Sequence, residues 1–391
     1  MSTEVSLLFR DYKMGPLQLK NRIVMAPLTR ARSSRAAVPP EFAEEYYKQR
    51  TGAGLIISEA TNISPQAIGY AFTPGIWSSA QVESWKRVTQ VVHEGGGLIV
   101  MQLWHTGRIS HPELHGGALP VSASAIQPGG DAFTYEGPKR LPTPRPLGAH
   151  EIPGIVEDYR HAAANARLAG FDGVEVHSAN NYLLEQFIRD STNRRTDEYG
   201  GSVENRLRFP LAAVKAVTEA WDGGERVGVR ISPTTTSPGE TPLDSDVMGT
   251  YSQYIDGLNA LGVTYLHVIE GVTRETRKVP AGVDFLTLRR RFRGSYLANN
   301  RYSKDMAEEA LDSGRADLVS FGRPFIGNPD LVQRMRDGSP LEEAPKETYY
   351  GGGAKGYSDW PALAGTKKQE RMPALLFQER PPYGEGVFVL E

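Results

Sequence analysis

A single (β/α)8, or TIM, barrel is the fold class this sequence predicts, and three observations predict it. Eight short apolar, β-branched runs recur along the 391 residues, at 22–28, 54–60, 97–104, 173–177, 227–232, 265–270, 296–299 and 316–321. Most are apolar on consecutive residues, as expected for parallel strands buried on both faces. The segments between them carry helical spacing, at 41–51, 81–94, 155–169, 203–221, 246–261 and 305–313. Several runs also follow a Gly or an Asp-Gly, which suits the turn leaving a preceding helix. Strand–helix alternation of this kind builds either a closed barrel or a doubly wound open sheet. The open sheet is the weaker reading, because no G-x-G-x-x-G follows the first run.

Taken in order, the first run ends in Ala26-Pro-Leu-Thr29, and the second in Ser58-Glu-Ala60. The helix expected at 81–94 spaces Val82, Trp85, Val88, Val91 and Val92 three or four apart. The third run ends in Gln102-Leu-Trp104 and opens a long excursion, 106–153, rich in Gly, Pro and Ser, with Tyr135 in its middle. A segment that long between two barrel strands is expected to cover the barrel mouth as a lid or wall. The expected organisation is one barrel over residues 1–365 with a C-terminal tail, 366–391, packed on the outside or mobile.

Composition narrows the function. A formal net charge of −2 argues against nucleic acid or an anionic membrane as the main partner. The absence of cysteine excludes disulfides, Fe–S clusters, thiolate zinc sites and a Cys nucleophile. The N-terminus lacks a charged-then-apolar leader, and no apolar run approaches the ~20 residues of a membrane span. A cytoplasmic protein acting on small molecules is expected, as a monomer or homodimer.

The chemistry gathers where strands end, since the carboxyl-end loops of such barrels carry the active site. Past the fourth run lie His177, Asn180 and Tyr182. His177 and Asn180 together could donate two hydrogen bonds to one oxygen and polarise a carbonyl or nitro group. The alternative is a structural histidine beside a turn-forming Asn. Tyr182 could deliver a proton to a carbanion-like carbon, or simply pack. Gln102 could bond the edge of a flat heterocycle through its amide, or hold a loop. His105 and Arg108 read as structural. Arg230, inside an apolar strand, needs a partner: a ligand anion, an electron-rich ring edge, or Glu59 or Glu175. In the eighth unit Gly322 and Arg323 suit a phosphate, with the backbone approaching closely and a fork-shaped cation beside it. The alternative is a surface turn.

Taken together, these residues resemble the old yellow enzymes, flavin-dependent ene-reductases that include N-ethylmaleimide reductase and 12-oxophytodienoate reductase. The resemblance runs from Leu7 to Leu363 and is carried by several motifs in order. They are Asn21-Arg-Ile-Val-Met-Ala-Pro-Leu-Thr-Arg30, Ile57-Ser-Glu-Ala-Thr61, Gln102-Leu-Trp-His-Thr-Gly-Arg108, the stretch around His177, Arg195-Thr-Asp-Glu-Tyr-Gly-Gly-Ser-Val-Glu-Asn-Arg206, Phe321-Gly-Arg323 and Tyr349-Tyr-Gly-Gly-Gly-Ala-Lys-Gly-Tyr357.

The resemblance implies non-covalent FMN at the barrel mouth and NADPH, or NADH, as hydride donor. It implies that Pro27, Leu28 and Thr29 contact the isoalloxazine and that Ala60 and Gln102 flank its pyrimidine edge. Arg230 would lie near N1, and Gly322, Arg323 and Asn300 would meet the phosphate. In the substrate cavity, shaped by Trp104 and Tyr350, His177 and Asn180 would hold the activating oxygen of an alkene, and Tyr182 would supply the proton. The implied reaction is reduction of activated alkenes such as enones, nitroalkenes or maleimides, with nitroaromatics or nitrate esters as further candidates. The turn after the seventh run departs from the family, with Leu297-Ala-Asn-Asn-Arg-Tyr302 where a small Gly-containing turn is usual. Two rival readings are a glycoside hydrolase built on Glu59, Glu175 and Glu270, and a flavin-binding protein whose altered loops block the mouth.

Overall fold

The computed structural model describes residues 5–273 and 276–363. Each predicted run supplies one barrel strand: β1 (Ile23–Met25), β2 (Leu55–Ile57), β3 (Ile99–Trp104), β4 (Gly173–Ser178), β5 (Val227–Ile231), β6 (Tyr265–Ile269), β7 (Ser295–Asn299) and β8 (Leu318–Phe321). Neighbours pair in parallel all the way round, with β8 on β1 and β3 on β4, so the sheet closes on itself. The first strand is shorter than its run for a local reason. The Ala26 amide still reaches Phe321, but Pro27 has no N–H to continue the ladder.

The helices are α1 (Ala43–Lys48), α2 (Ser79–Glu94), α3 (Ile152–Leu168), α4 (Leu183–Ile188), α5 (Val203–Ala220), α6 (Val247–Ala260), α7 (Phe285–Arg291), α8 (Lys304–Asp312), α9 (Pro324–Gly327) and α10 (Leu331–Asp337). Helix α2 begins two residues before its predicted start because Ser78 and Gln81 close a reciprocal capping box. Helix α4 was not expected from periodicity, and its burial explains why: all six residues are buried, so it shows no polar face and no 3.6-residue pattern.

The barrel interior is layered. At the amino end Val24, Leu55, Ile57, Val100, Tyr265, Leu297 and Leu318 form an apolar floor. An N-terminal hairpin, Tyr12–Met14 with Leu17–Leu19, plugs it from below through Met14, Leu17 and Leu19. Gly228 makes room in this floor, since a Cβ there would lie 2.0 Å from the Tyr265 ring. Two residues further along each strand, on the same face, the side chains turn polar. Val100 gives way to Gln102, Tyr265 to His267, Leu297 to Asn299 and Leu318 to Ser320, and Arg230 follows Gly228. On the outer face, Val174 and Val176 pack into the large core shared with the helices.

The excursion 106–153 carries a hairpin, Asp131–Thr134 with Gly137–Arg140, and a short parallel pair, Val121–Ser122 with Arg145–Pro146. Phe133 bridges to Tyr70, and the Ala71 amide donates to the Phe133 carbonyl at 2.9 Å. The hairpin thus forms the expected wall at the mouth. Tyr135 sits edge-on to Phe72 at 5.1 Å and beneath Arg35. Among the described residues no helix is long and apolar enough to cross a membrane. The tail expected over 366–391 lies outside the described residues.

Candidate active site

His177, Asn180 and Tyr182 are brought together at the end of β4, and all three are buried. The turn that does this is built from Asn180 and Asn181, both left-handed at φ 54° and 57°. Asn is among the few side chains that accept that region readily. Beneath the turn lies Glu185, wholly buried on α4. Its carboxylate accepts from the Asn181 amide at 2.6 Å, from the Ser232 hydroxyl at 3.0 Å, from Arg189 at 3.0 Å and from the Tyr251 hydroxyl at 2.5 Å. Ser232 in turn accepts from the Asn180 amide at 2.7 Å. One buried carboxylate therefore ties β5, α4 and α6 to the turn that carries the three candidate residues.

The functional ends of these side chains are also set by neighbours. The Thr273 hydroxyl donates to Asn180 Oδ1 at 3.0 Å, which orients that amide with its NH2 as the donor end. Burial, with Arg230 and then His267 nearby, holds His177 well below the usual imidazole range, so it is neutral at neutral pH. Its Nδ1 is buried and has no hydrogen-bond partner among the described residues. The Tyr182 hydroxyl lies 3.1 Å from that of Tyr70. Tyr182 stands edge-on to His177 at 5.1 Å and to Trp104 at 5.0 Å, while Tyr70 stacks on Trp104 at 5.5 Å. Ala60, Phe133 and the half-buried Tyr350 complete this apolar wall. Tyr70, Thr273, Ser232 and Glu185 were not singled out from the sequence. Only Glu185 left a trace there, as an acid in the otherwise apolar Leu183-Leu-Glu-Gln-Phe187.

On the two strands that flank β4, Gln102 and Arg230 are each 1% exposed. Gln102 Nε2 donates to Glu175 Oε1 at 2.7 Å, so its carbonyl oxygen is the end left for a ligand. Arg230 Nη2 donates to Asn299 Oδ1 at 3.2 Å. Burial lowers the Arg230 guanidinium to about 10, against the pull of Glu175, and it stays charged at neutral pH. Pro27 and Leu28 are buried and Thr29 is half-buried on the loop after β1. The Arg30 amide pins that loop by donating to Glu59 at 3.0 Å. Arg30 and Arg32 then clasp the 349–357 loop and the residue before it through their carbonyls, at 2.8 Å to Tyr349, 2.9 Å to Gly356 and 2.9 Å to Thr348. This clasp places Tyr350.

Gly322 is buried and Arg323 exposed, immediately before α9. Asn300 has φ 105°, so the turn after β7 adopts the backbone a Gly would favour. Its side chain holds the neighbouring loop, donating to the Glu270 carbonyl at 2.7 Å. Only its backbone remains for an anion. His105 and Arg108 are structural, as expected: His105 accepts from the Gly107 amide at 3.1 Å, and Arg108 donates to Ile126 and Thr241 at 3.1 and 2.7 Å.

The three acids of the glycosidase reading are each committed elsewhere. Glu59 anchors the β1 loop, Glu175 accepts from Gln102 and His267, and Glu270 accepts from the Tyr296 and Tyr302 hydroxyls at 3.0 and 2.6 Å.

A parallel barrel with donors, a buried guanidinium and an aromatic wall at its carboxyl end has the architecture of a TIM-barrel enzyme, whose active site lies at that end. The NADH:flavin oxidoreductase / NADH oxidase family model matches residues 7–342. 12-oxophytodienoate reductase 1 of Oryza sativa subsp. japonica is 42% identical over 373 residues, 93% of this chain and 95% of its own length. 12-oxophytodienoate reductase 2 of Arabidopsis thaliana is 40% identical over 365 residues, 92% of this chain and 96% of its own.

Among solved structures, the old yellow enzyme homologue from Zymomonas mobilis superposes with a TM-score of 0.87 at 45% identity, covering 91% of this chain and 99% of that one. Morphinone reductase in complex with tetrahydroNAD gives 0.88 at 46% identity, with 93% and 99% covered. The chain belongs to the NADH:flavin oxidoreductase / NADH oxidase family and, within it, to the old yellow enzymes. It is accordingly a flavin oxidoreductase, and the family implies FMN.

Proposed function

We propose that this protein reduces the carbon–carbon double bond of activated alkenes, with NADPH or NADH as electron source. The observation that carries the reading is the convergence of His177, Asn180 and Tyr182 on one aromatic-walled mouth, with His177 Nδ1 buried without a partner. The residues present fit FMN. Gln102 offers an acceptor, Arg230 a buried cation, and Pro27, Leu28, Thr29 and Ala60 a largely apolar edge. Gly322, Arg323 and the Asn300 backbone would hold the phosphate. When bound, FMN supplies two-electron hydride chemistry, from a nicotinamide to the β-carbon of the alkene.

The protein's own part is orientation and charge. Neutral His177 and the NH2 of Asn180 hold the carbonyl or nitro oxygen and stabilise the negative charge that grows there. Tyr182 delivers a proton to the α-carbon. Trp104, Tyr70 and Tyr350 keep the alkene flat and exclude water. Maleimides and nitroalkenes present the same oxygen. Nitroaromatics and nitrate esters are further substrates on this reading.

The test is an absorbance spectrum of the purified protein, followed by anaerobic NADPH or NADH and then cyclohexenone. Flavin bands should bleach with the nicotinamide and return with the enone. Bands that bleach and never return with any activated alkene would overturn the alkene-reductase reading. A protein that stays colourless after incubation with FMN would overturn the flavin site.

A further inference from the structure

Beneath the mouth, six strands each send one buried polar side chain into the barrel, and five hydrogen bonds join them. The Gln102 amide donates to Glu175 Oε1 at 2.7 Å. His267 Nδ1 lies 2.9 Å from Glu175 Oε2, and His267 Nε2 lies 2.9 Å from Ser320 Oγ. Asn299 Nδ2 donates to Ser320 Oγ at 2.8 Å, and Asn299 Oδ1 accepts from Arg230 at 3.2 Å. None of the six is more than 3% exposed.

The direction of every bond follows from one charge. Burial opposes ionisation of Glu175, yet His267 beside it, then Arg230 and the Gln102 amide, hold the carboxyl below its usual range, so it is an acceptor only. Burial and Arg230 hold His267 down at about 4, so it is neutral and has a single N–H. That N–H must sit on Nδ1, facing Glu175. Nε2 is then an acceptor, and the Ser320 hydroxyl must donate to it. Ser320 can therefore only accept from Asn299, which leaves the Asn299 oxygen facing Arg230. At the other end, Glu175 takes the NH2 of Gln102 and turns its oxygen to the ligand.

We propose that Glu175 is the positioning residue of the cofactor site: through Gln102 and through His267–Ser320–Asn299 it fixes which atoms of Gln102 and Arg230 meet the flavin, and its charge offsets that of Arg230. This rests on the flavin reading above. It gives the carboxylate two separable jobs. Its reach orients Gln102, and so governs FMN affinity. Its charge opposes the buildup of electrons on the ring, and so governs the reduction potential.

Two variants separate the jobs. Glu175→Gln removes the charge and keeps one acceptor oxygen, which still takes the NH2 of Gln102, while its own NH2 faces His267 Nδ1 and moves the imidazole proton to Nε2. Bound FMN should then be reduced at a more positive potential, while its Kd stays within about threefold of wild type. Glu175→Asp keeps the charge but shortens the reach, so it cannot meet both Gln102 and His267. Here the FMN Kd should rise about tenfold or more, the loss of one charge-assisted hydrogen bond, at a nearly unchanged potential.

The measurements are fluorescence titration of apoprotein with FMN and dye-coupled reduction of the holoprotein, neither of which depends on turnover. Variants that melt at lower temperature but keep wild-type potential and wild-type Kd would make Glu175 merely structural and overturn the inference. Should Glu175→Gln fail to fold, Glu175→Asp decides alone, and an unchanged Kd refutes the proposal. Wild-type apoprotein that takes up no FMN would refute the flavin reading itself, before any variant is compared.

Discussion

At the active site, single polar atoms decide what a side chain can do. The Asn180 amide is oriented by Thr273, which donates to its oxygen. Thr273→Val keeps the shape and removes that hydroxyl. The amide then loses the contact that holds its oxygen, and affinity for phenolic ligands, which mimic an enolate, should fall about tenfold. Titration of the flavin spectrum with a phenol measures this, and unchanged affinity would mean that Asn180 is oriented by something else. Tyr182 makes a second case. Tyr182→Phe should slow alkene reduction by roughly 10²-fold or more, the scale of a lost general acid. Flavin reduction by the nicotinamide should stay nearly intact. Equal loss of both half-reactions, followed by stopped flow, would argue against a proton-donor role.

Elements are held in place by buried charges rather than by their own propensities. Helix α4 spans six residues, far too short to be stable alone. It is fixed because Glu185 is bound by Arg189, Ser232, Tyr251 and the Asn181 amide at once. Removing the acid with Glu185→Ala leaves Arg189 as a buried cation with only carbonyl partners, a change that costs about 3–5 kcal/mol in comparable sites. Denaturant unfolding should show that loss, and a loss below about 1 kcal/mol would mean the Asn turn is held by the chain alone. The clasp of Arg30 and Arg32 on the 349–357 loop works in the same way. It joins the first barrel unit to the last described segment, and so carries Tyr350 to the mouth.

At the scale of the whole molecule, acids that look catalytic in the sequence turn out to close the fold. Burial raises the Glu59 carboxyl from 4.5 to about 7, despite the Arg30 amide and the Arg30 and Arg32 charges that lower it. Its folded form therefore holds a proton more tightly than its unfolded form. The stability from this group is complete below pH 4.5 and is lost as pH rises through about 7. Gln does not titrate, so Glu59→Gln should gain on wild type by a few kcal/mol between pH 4.5 and 8. Denaturant midpoints at the two ends of that window measure the difference. A pH-independent gap would place the Glu59 carboxyl at its ordinary strength.

The layering of the barrel explains how much of this was legible. Eight apolar runs and the segments between them specify the barrel, because parallel strands buried on both faces must be apolar on consecutive residues. The exceptions within those runs, Gln102, Glu175, His177 and Arg230, stand out against that background, whereas His267 and Asn299 were not singled out. A polar residue in such a strand needs a partner, so each of the first four can be recognised as special. Which partner it has is a different matter. Glu175 reads equally well as an ion-pair acid or a hydrolase carboxylate until β3, β4 and β6 close around it and give it Gln102 and His267. Tyr70 and Thr273 belong to loops with no periodicity, and they reach the site only because the loops after β2 and β6 converge with the loop after β4 at the carboxyl end of the barrel.

By itself, the sequence determined the fold class, the family's motifs and the three residues past the fourth strand, since local pattern and composition encode these. The tertiary structure alone decided the direction of each hydrogen bond. Donor and acceptor are properties of pairs, and pairs such as Ser232–Glu185 and Tyr70–Tyr182 lie 47 and 112 residues apart in the chain.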